Sequence, residues 1–183
     1  IEDISYACDG GLVSNLVNNG SFEYEKKPET AWQFENVQTV LSTSDAMNKN
    51  NPSYETLTIS GKGIVKNLGF TELYDYKTYD YNDESASTAD MGFKEGVGYD
   101  FSCYVKNIDF EGSISVYLDS KSNSYKSVKL NTIALSSNQW TKLTTTLKSV
   151  ASEDGGLAIV FEGEGSLQLD FVSLVPQDSY GYG

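Results

Sequence analysis

The sequence contains no histidine, and all 13 of its basic residues are lysine, so it has no arginine either. That excludes a Ser-His-Asp or Cys-His constellation, an imidazole metal site and a guanidinium fork on a carboxylate or phosphate. Any chemistry falls to carboxylates, tyrosines or lysines. Cysteine is scarce: Cys8 and Cys103 lie far apart, and two cysteines do not define a disulfide framework. Cys103 alternates with apolar residues, as a small buried hydrophobe does; a bridge to Cys8 stays open. There is no apolar run of membrane-spanning length and no leader pattern. The chain opens on Ile1-Glu2-Asp3-Ile4, which reads as the interior of a longer protein.

Positive charge is outweighed throughout. Against 13 lysines stand 26 Asp and Glu, a net charge of −13. Nucleic acid and anionic membrane surfaces both need a basic patch and are excluded as partners. Acidic polysaccharides are disfavoured for the same reason. A neutral ligand fits this charge, and so does plain solubility.

The chain has 183 residues, enough for one domain with a real core. Tyrosine is its commonest aromatic, at 13 against 8 Phe and 2 Trp. Four of these, Tyr74, Tyr76, Tyr79 and Tyr81, crowd into residues 71–90 among Asp75, Asp80, Asp83 and Glu84. Flat rings beside carboxylates suit a sugar-binding surface, with faces for pyranose rings and acceptors for hydroxyls. An acidic surface loop has the same composition.

Around this stretch the periodicity is that of short strands. Tyr99, Phe101, Cys103 and Val105 alternate with polar residues, and so do Ile114, Val116 and Leu118. That alternation puts Tyr104 and Tyr117 on the faces opposite the apolar side chains. Further strands are expected at residues 1–4, 37–41, 54–59, 63–68, 128–135, 140–147, 157–161 and 167–174. Turns are expected at Ser60-Gly61, over residues 92–98 and at Gly163-Glu164-Gly165, and a polar hairpin loop over 119–124. A short helix is expected over residues 11–18. Eight to ten short strands with no crossover helices predict an all-β fold. Two antiparallel sheets would pack as a β-sandwich or jelly roll behind a short N-terminal strand and helix.

Several segments resemble one family. IEDISYACDGGLVSNLVNNGSFEY at the start, Asn51-Pro52-Ser53-Tyr54 with Leu57-Thr58, residues 92–105, Trp140-Thr141-Lys142-Leu143, and FEGEG followed by LDFVSL at 169–174 occur in the order found in bacterial α-L-arabinofuranosidases. The similar region there is a carbohydrate-binding-like module inserted near the N-terminus of the catalytic barrel. Its type is that of the galactose-binding-like jelly rolls of carbohydrate-binding families four, nine and twenty-two. The resemblance divides the chain into an N-terminal segment over 1–19, a sandwich over 20–176 and a tail over 177–183. Residues 71–90 have no counterpart and look like an insertion.

The resemblance implies a non-catalytic module, because the barrel and its two catalytic glutamates are missing. Its ligand would be a neutral plant cell-wall polysaccharide or oligosaccharide, xylan, arabinoxylan or β-glucan. Its other partner would be the catalytic domain of the same secreted bacterial polypeptide. Tyr104 and Tyr117, with Tyr74, Tyr76, Tyr79 and Tyr81, are the candidate contacts. Trp32 and Trp140 would be structural, and Glu2 an orphan of the barrel's pocket. Glu23 and Asp170 match the positions that hold a structural calcium ion in the related jelly rolls. The alternative is a structural insert that packs on the barrel and binds no sugar. A small acidic glycosidase would need two carboxylates flanking a scissile bond, and no pair stands out.

Overall fold

The computed structural model describes residues 15–23, 31–70, 91–133, 135 and 138–178. The expected strand at 1–4, Glu2, Cys8 and the tyrosine stretch at 71–90 lie outside the described residues. Among the described residues eight strands form: β1 (Trp32–Ser42), β2 (Tyr54–Asn67), β3 (Met91–Phe93), β4 (Gly98–Asn107), β5 (Glu111–Asp119), β6 (Val128–Lys129), β7 (Trp140–Lys148) and β8 (Glu153–Pro176). Every pairing is antiparallel, and the fold is the expected β-sandwich.

The two layers share strands. One ladder runs β1-β2-β8-β4-β7, while β5 and β3 also pair with β8. The second half of β8 lies between β2 and β4, and its first half between β2 and β5. The long strands therefore pass from a front layer with β4 and β7 to a rear layer with β5 and β6. They do so at one level, where Gly61 of β2 pairs with Gly163 of β8, flanked by the pairs Ile59–Gly165 and Gly63–Phe161. At the same level β1 bulges at Asn36, between the Glu35–Ile64 and Val37–Ile59 pairs. Gly163 has φ 156°, and a Cβ on it would fall 2.1 Å from the Glu111 carbonyl oxygen. Only glycine lets the rear strands approach this closely.

This bend corrects two expectations. Ser60-Gly61 and Gly163-Glu164-Gly165 read as turns between separate strands. They are instead the flexures inside two continuous strands of 14 and 24 residues. Turn residues mark a bend in either case, and sequence does not separate a bend from a break. β1 begins at Trp32, earlier than expected, and the strand expected over 128–135 is confined to Val128–Lys129. Met91–Phe93 pairs with β8 where only a turn was expected. The described end of the expected helix, Asn15–Asn18, is not helical.

Side chains of both layers fill one core. Leu57, Phe101, Cys103, Ile114, Val116, Leu157, Phe161, Leu167 and Leu169 are at most 1 % exposed, and each large one stabilises the fold by roughly 1.5–3 kcal/mol. Cys103 is a free buried thiol, pushed up to about 12 by burial. Residues 15–23 close the seam beside β8. Leu16 N–H donates to the Leu174 carbonyl at 2.9 Å, and Val172 N–H to that of Gly20 at 2.8 Å. The Asn67 side chain donates to the Asn18 carbonyl, and the Trp32 indole N–H to that of Asn19, both at 2.9 Å. Trp32 is buried, as expected. Among the described residues no helix is long and apolar enough to cross a membrane.

Candidate functional site

Strand alternation sends Asp100, Ser102, Tyr104 and Lys106 of β4 to the outer face of the front layer, opposite the core residues Phe101, Cys103 and Val105. Register then sets their neighbours. Asp100 lies between Thr146 of β7 and Val175 of β8, Ser102 between Thr144 and Ser173, Tyr104 between Lys142 and Asp170, and Lys106 between Trp140 and Gln168. Asp100, Ser102, Lys142, Thr144, Thr146, Ser173 and Val175 line a depression of about 380 Å³ on this face. Thr146 Oγ1 and Gln177 Nε2 donate to Asp100 Oδ1 at 2.7 and 2.8 Å. The floor is therefore hydroxyl-rich, with one carboxylate already fixed in direction.

Tyr104 is the next outward residue of β4 after Ser102 and pairs with Lys142, both of which line that depression. Its ring meets Phe171 edge to face, with centroids 6.2 Å apart, and Lys142 Nζ lies 5.8 Å from its centroid. Phe171 reaches the face because β8 bulges there. Its φ is 47°, and the β4–β8 register shifts between Ser102 and Tyr104. Such a bulge leaves little signal in the sequence. Trp140 is half-buried at the start of β7, meeting Tyr54 edge to face at 5.5 Å. The resemblance made it structural, and it does pack on a buried ring, while its strand parity is shared with Lys142 and Thr144 on the outer face.

Tyr117 sits elsewhere. β5 belongs to the rear layer, and Tyr117 lies on its outer face beside Asp119 and Lys66, its hydroxyl pushed up by burial and by the Asp119 charge. Lys66 bridges Glu35 at 3.0 Å and Asp119 at 3.2 Å. Tyr104 and Tyr117 thus face away from each other across the sandwich. Tyr74, Tyr76, Tyr79 and Tyr81 lie outside the described residues.

Glu23 and Asp170 come together at the seam. Glu23 accepts from Ser53 N–H at 2.6 Å and from Ser53 Oγ at 3.0 Å. Asp170 is fully buried; its Oδ1 accepts from Phe171 N–H at 2.7 Å, and its Oδ2 has no hydrogen-bond partner among the described residues. Burial pushes Asp170 up to about 8, against the Phe171 N–H and with help from the Glu23 charge. An orphaned buried carboxylate oxygen beside a second carboxylate is the donor chemistry of a hard cation site. No third carboxylate, Cys or His completes a cluster among the described residues, so main-chain and side-chain carbonyls would fill the remaining positions.

No family model matches the chain. An extracellular exo-α-L-arabinofuranosidase from Streptomyces chartreusis is 25 % identical over 98 % of this chain. The chain spans only 20 % of that relative's length. Among solved structures, the enzymatically active domain of tailspike protein 4 from bacteriophage CBA120 superposes with a TM-score of 0.58 at 13 % identity, over 88 % of this chain and 21 % of that one. The CBM22-1 xylan-binding domain of Paenibacillus barcinonensis Xyn10C superposes with a TM-score of 0.52 at 12 % identity, over 86 % and 91 % of the two chains. The chain thus has the β-sandwich architecture of a carbohydrate-binding module and resembles a module-sized part of an arabinofuranosidase.

Proposed function

We propose that this chain is a non-catalytic glycan-binding module that holds the catalytic domain of a secreted glycoside hydrolase against neutral plant cell-wall polysaccharide. The observation that carries the reading is the outer face of the front layer. It joins a hydroxyl-lined depression to the Tyr104–Phe171 ring pair. Rings offer a sugar its apolar face, while Ser102, Thr144, Thr146 and Asp100 offer donors and acceptors to its hydroxyls. The xylan-binding neighbour and the arabinofuranosidase relative favour xylan or arabinoxylan over β-glucan. The work of binding is held by open strands, so the ligand is a chain lying across them and not a small molecule in a closed cavity.

Calcium is the second part of the proposal. Glu23 and Asp170 would hold one ion, tying the first described segment to β8. The ion would supply charge compensation for Asp170 and take no part in sugar chemistry.

Affinity electrophoresis of the chain through gels containing xylan, arabinoxylan or β-glucan tests the reading. Retardation by a xylan is expected. Free migration through all of them overturns it in favour of a structural insert that packs on its enzyme and binds no sugar.

A further inference from the structure

The outer face of the front layer is covered at one end. Residues 43–53, which join β1 to β2, reach this face through Asp45, which touches both Lys106 and Trp140, and Gln168 lies beside Lys106 in the register. Asp45 is ion-paired with Lys106, whose side chain is 9 % exposed while that of Asp45 is 73 % exposed. The Asp45 carbonyl also accepts from the Trp140 indole N–H at 3.4 Å. Behind Trp140 stands Tyr54, 1 % exposed.

This cover is poorly satisfied. Gln168 Oε1 and Asn51 Oδ1 are buried with no hydrogen-bond partner among the described residues, and burying an amide oxygen without a donor is unfavourable. The ion pair that secures the loop is open to water on its Asp45 side, so salt reaches and screens it from that side. The indole bond is long. A screened ion pair and one long hydrogen bond thus hold the loop beside these unsatisfied groups.

The groups beneath it have their own chemistry. Trp140 and Tyr54 are rings, Lys106 is a donor and Gln168 is both donor and acceptor. Lys106 is two residues along β4 from Tyr104, so the covered patch continues the face that carries Tyr104. We propose that the β1–β2 loop is a latch, and that its release adds one sugar-binding subsite, built from Trp140, Tyr54, Lys106 and Gln168, to that face. The subsite rests on the glycan-binding reading; the latch does not.

Asp45→Ala tests both parts on the intact chain. Asp45 is exposed, so the variant keeps its core. Acrylamide quenching of tryptophan fluorescence, measured without glycan, reads the latch, because Trp32 is buried and Trp140 reports the change. Stronger quenching in Asp45→Ala, and in the wild type at high salt, is the expected result. Unchanged quenching overturns the latch. Titration calorimetry with xylo-oligosaccharides of increasing length then reads the subsite. Asp45→Ala should bind the longest oligomers several-fold more tightly than wild type and the shortest equally, and Trp140→Ala in that background should remove the gain. Equal gain at all lengths, or none at any, overturns the subsite. If neither chain binds any oligomer, the glycan reading and the subsite fall together, while quenching still decides the latch.

Discussion

Asp170 in β8 and Glu23 in residues 15–23 are carboxylates close enough for the charge of Glu23 to raise the proton affinity of Asp170. The bulge at Phe171 fixes Asp170 from one side and Ser53 fixes Glu23 from the other. Neither carboxylate is paired with a lysine in the described structure. A cation bound to the folded chain alone stabilises it by mass action, about 2.7 kcal/mol at a free concentration one hundred times its dissociation constant. Calcium is therefore expected to raise the melting temperature of chelator-treated protein by several degrees. Asp170→Asn should abolish the increment while leaving a folded chain. An equal melting temperature with calcium and with chelator removes the metal from the proposal.

Tyr104 and Tyr117 give the sharpest separation of the site from its surroundings. Both read the same way along their strands, yet they lie on outer faces of opposite layers. Tyr104→Ala should weaken xylan binding by about 1–2 kcal/mol, the contribution of one aromatic contact, or roughly tenfold in dissociation constant. Tyr117→Ala should leave binding unchanged. Loss in Tyr117→Ala with none in Tyr104→Ala would move the site to the rear layer.

That contrast shows what the sequence carries. Alternation over Tyr99–Val105 and Ile114–Leu118 specifies which side chains enter the core, because one face of each strand must be apolar. It therefore also specifies that Tyr104 and Tyr117 point outward. It does not specify which layer each strand joins, since that depends on β4–β8 and β5–β8 pairings between residues far apart in sequence, from Asp119–Gly156 to Tyr99–Pro176. The same limit hid Phe171, which reaches the outer face only through a bulge. Resemblance to related jelly rolls singled out Asp170, while its burial and its orphaned oxygen needed the fold.

Gly163 tests the shared-strand architecture. A side chain at this position meets the Glu111 carbonyl oxygen at 2.1 Å and the Gly112 Cα at 2.7 Å, both backbone atoms that cannot rotate away. Gly163→Ala should destabilise the chain by on the order of 1–3 kcal/mol, from overpacking and a backbone shift. Gly92→Ala is the control, because nothing lies within 4 Å of its Cβ position. Chemical denaturation midpoints of the two variants give the comparison. Equal midpoints would show that β8 does not run continuously between the layers.

Glu153 holds the β5–β6 connection and ties it to the start of β8. Its carboxylate accepts from Ser120 Oγ at 2.6 Å, from Ser122 N–H at 2.7 Å and from Ser122 Oγ at 3.0 Å. These bonds favour the charged form, the Ser120 hydroxyl most, and hold its proton affinity below the usual carboxylate value of 4.5. A carboxylate lowered on folding stabilises the protein above its unfolded value and loses that contribution as pH falls through the folded one. Melting temperature should therefore decline below about pH 4.5, with part of the slope due to this group. Glu153→Gln keeps the shape and removes the charge. It should lower the melting temperature at pH 7 and flatten the acid slope, so that the two proteins converge as pH falls. Parallel slopes would mean that the Ser120 and Ser122 bonds are as strong to an amide as to a carboxylate, and that the charge of Glu153 contributes nothing to the fold.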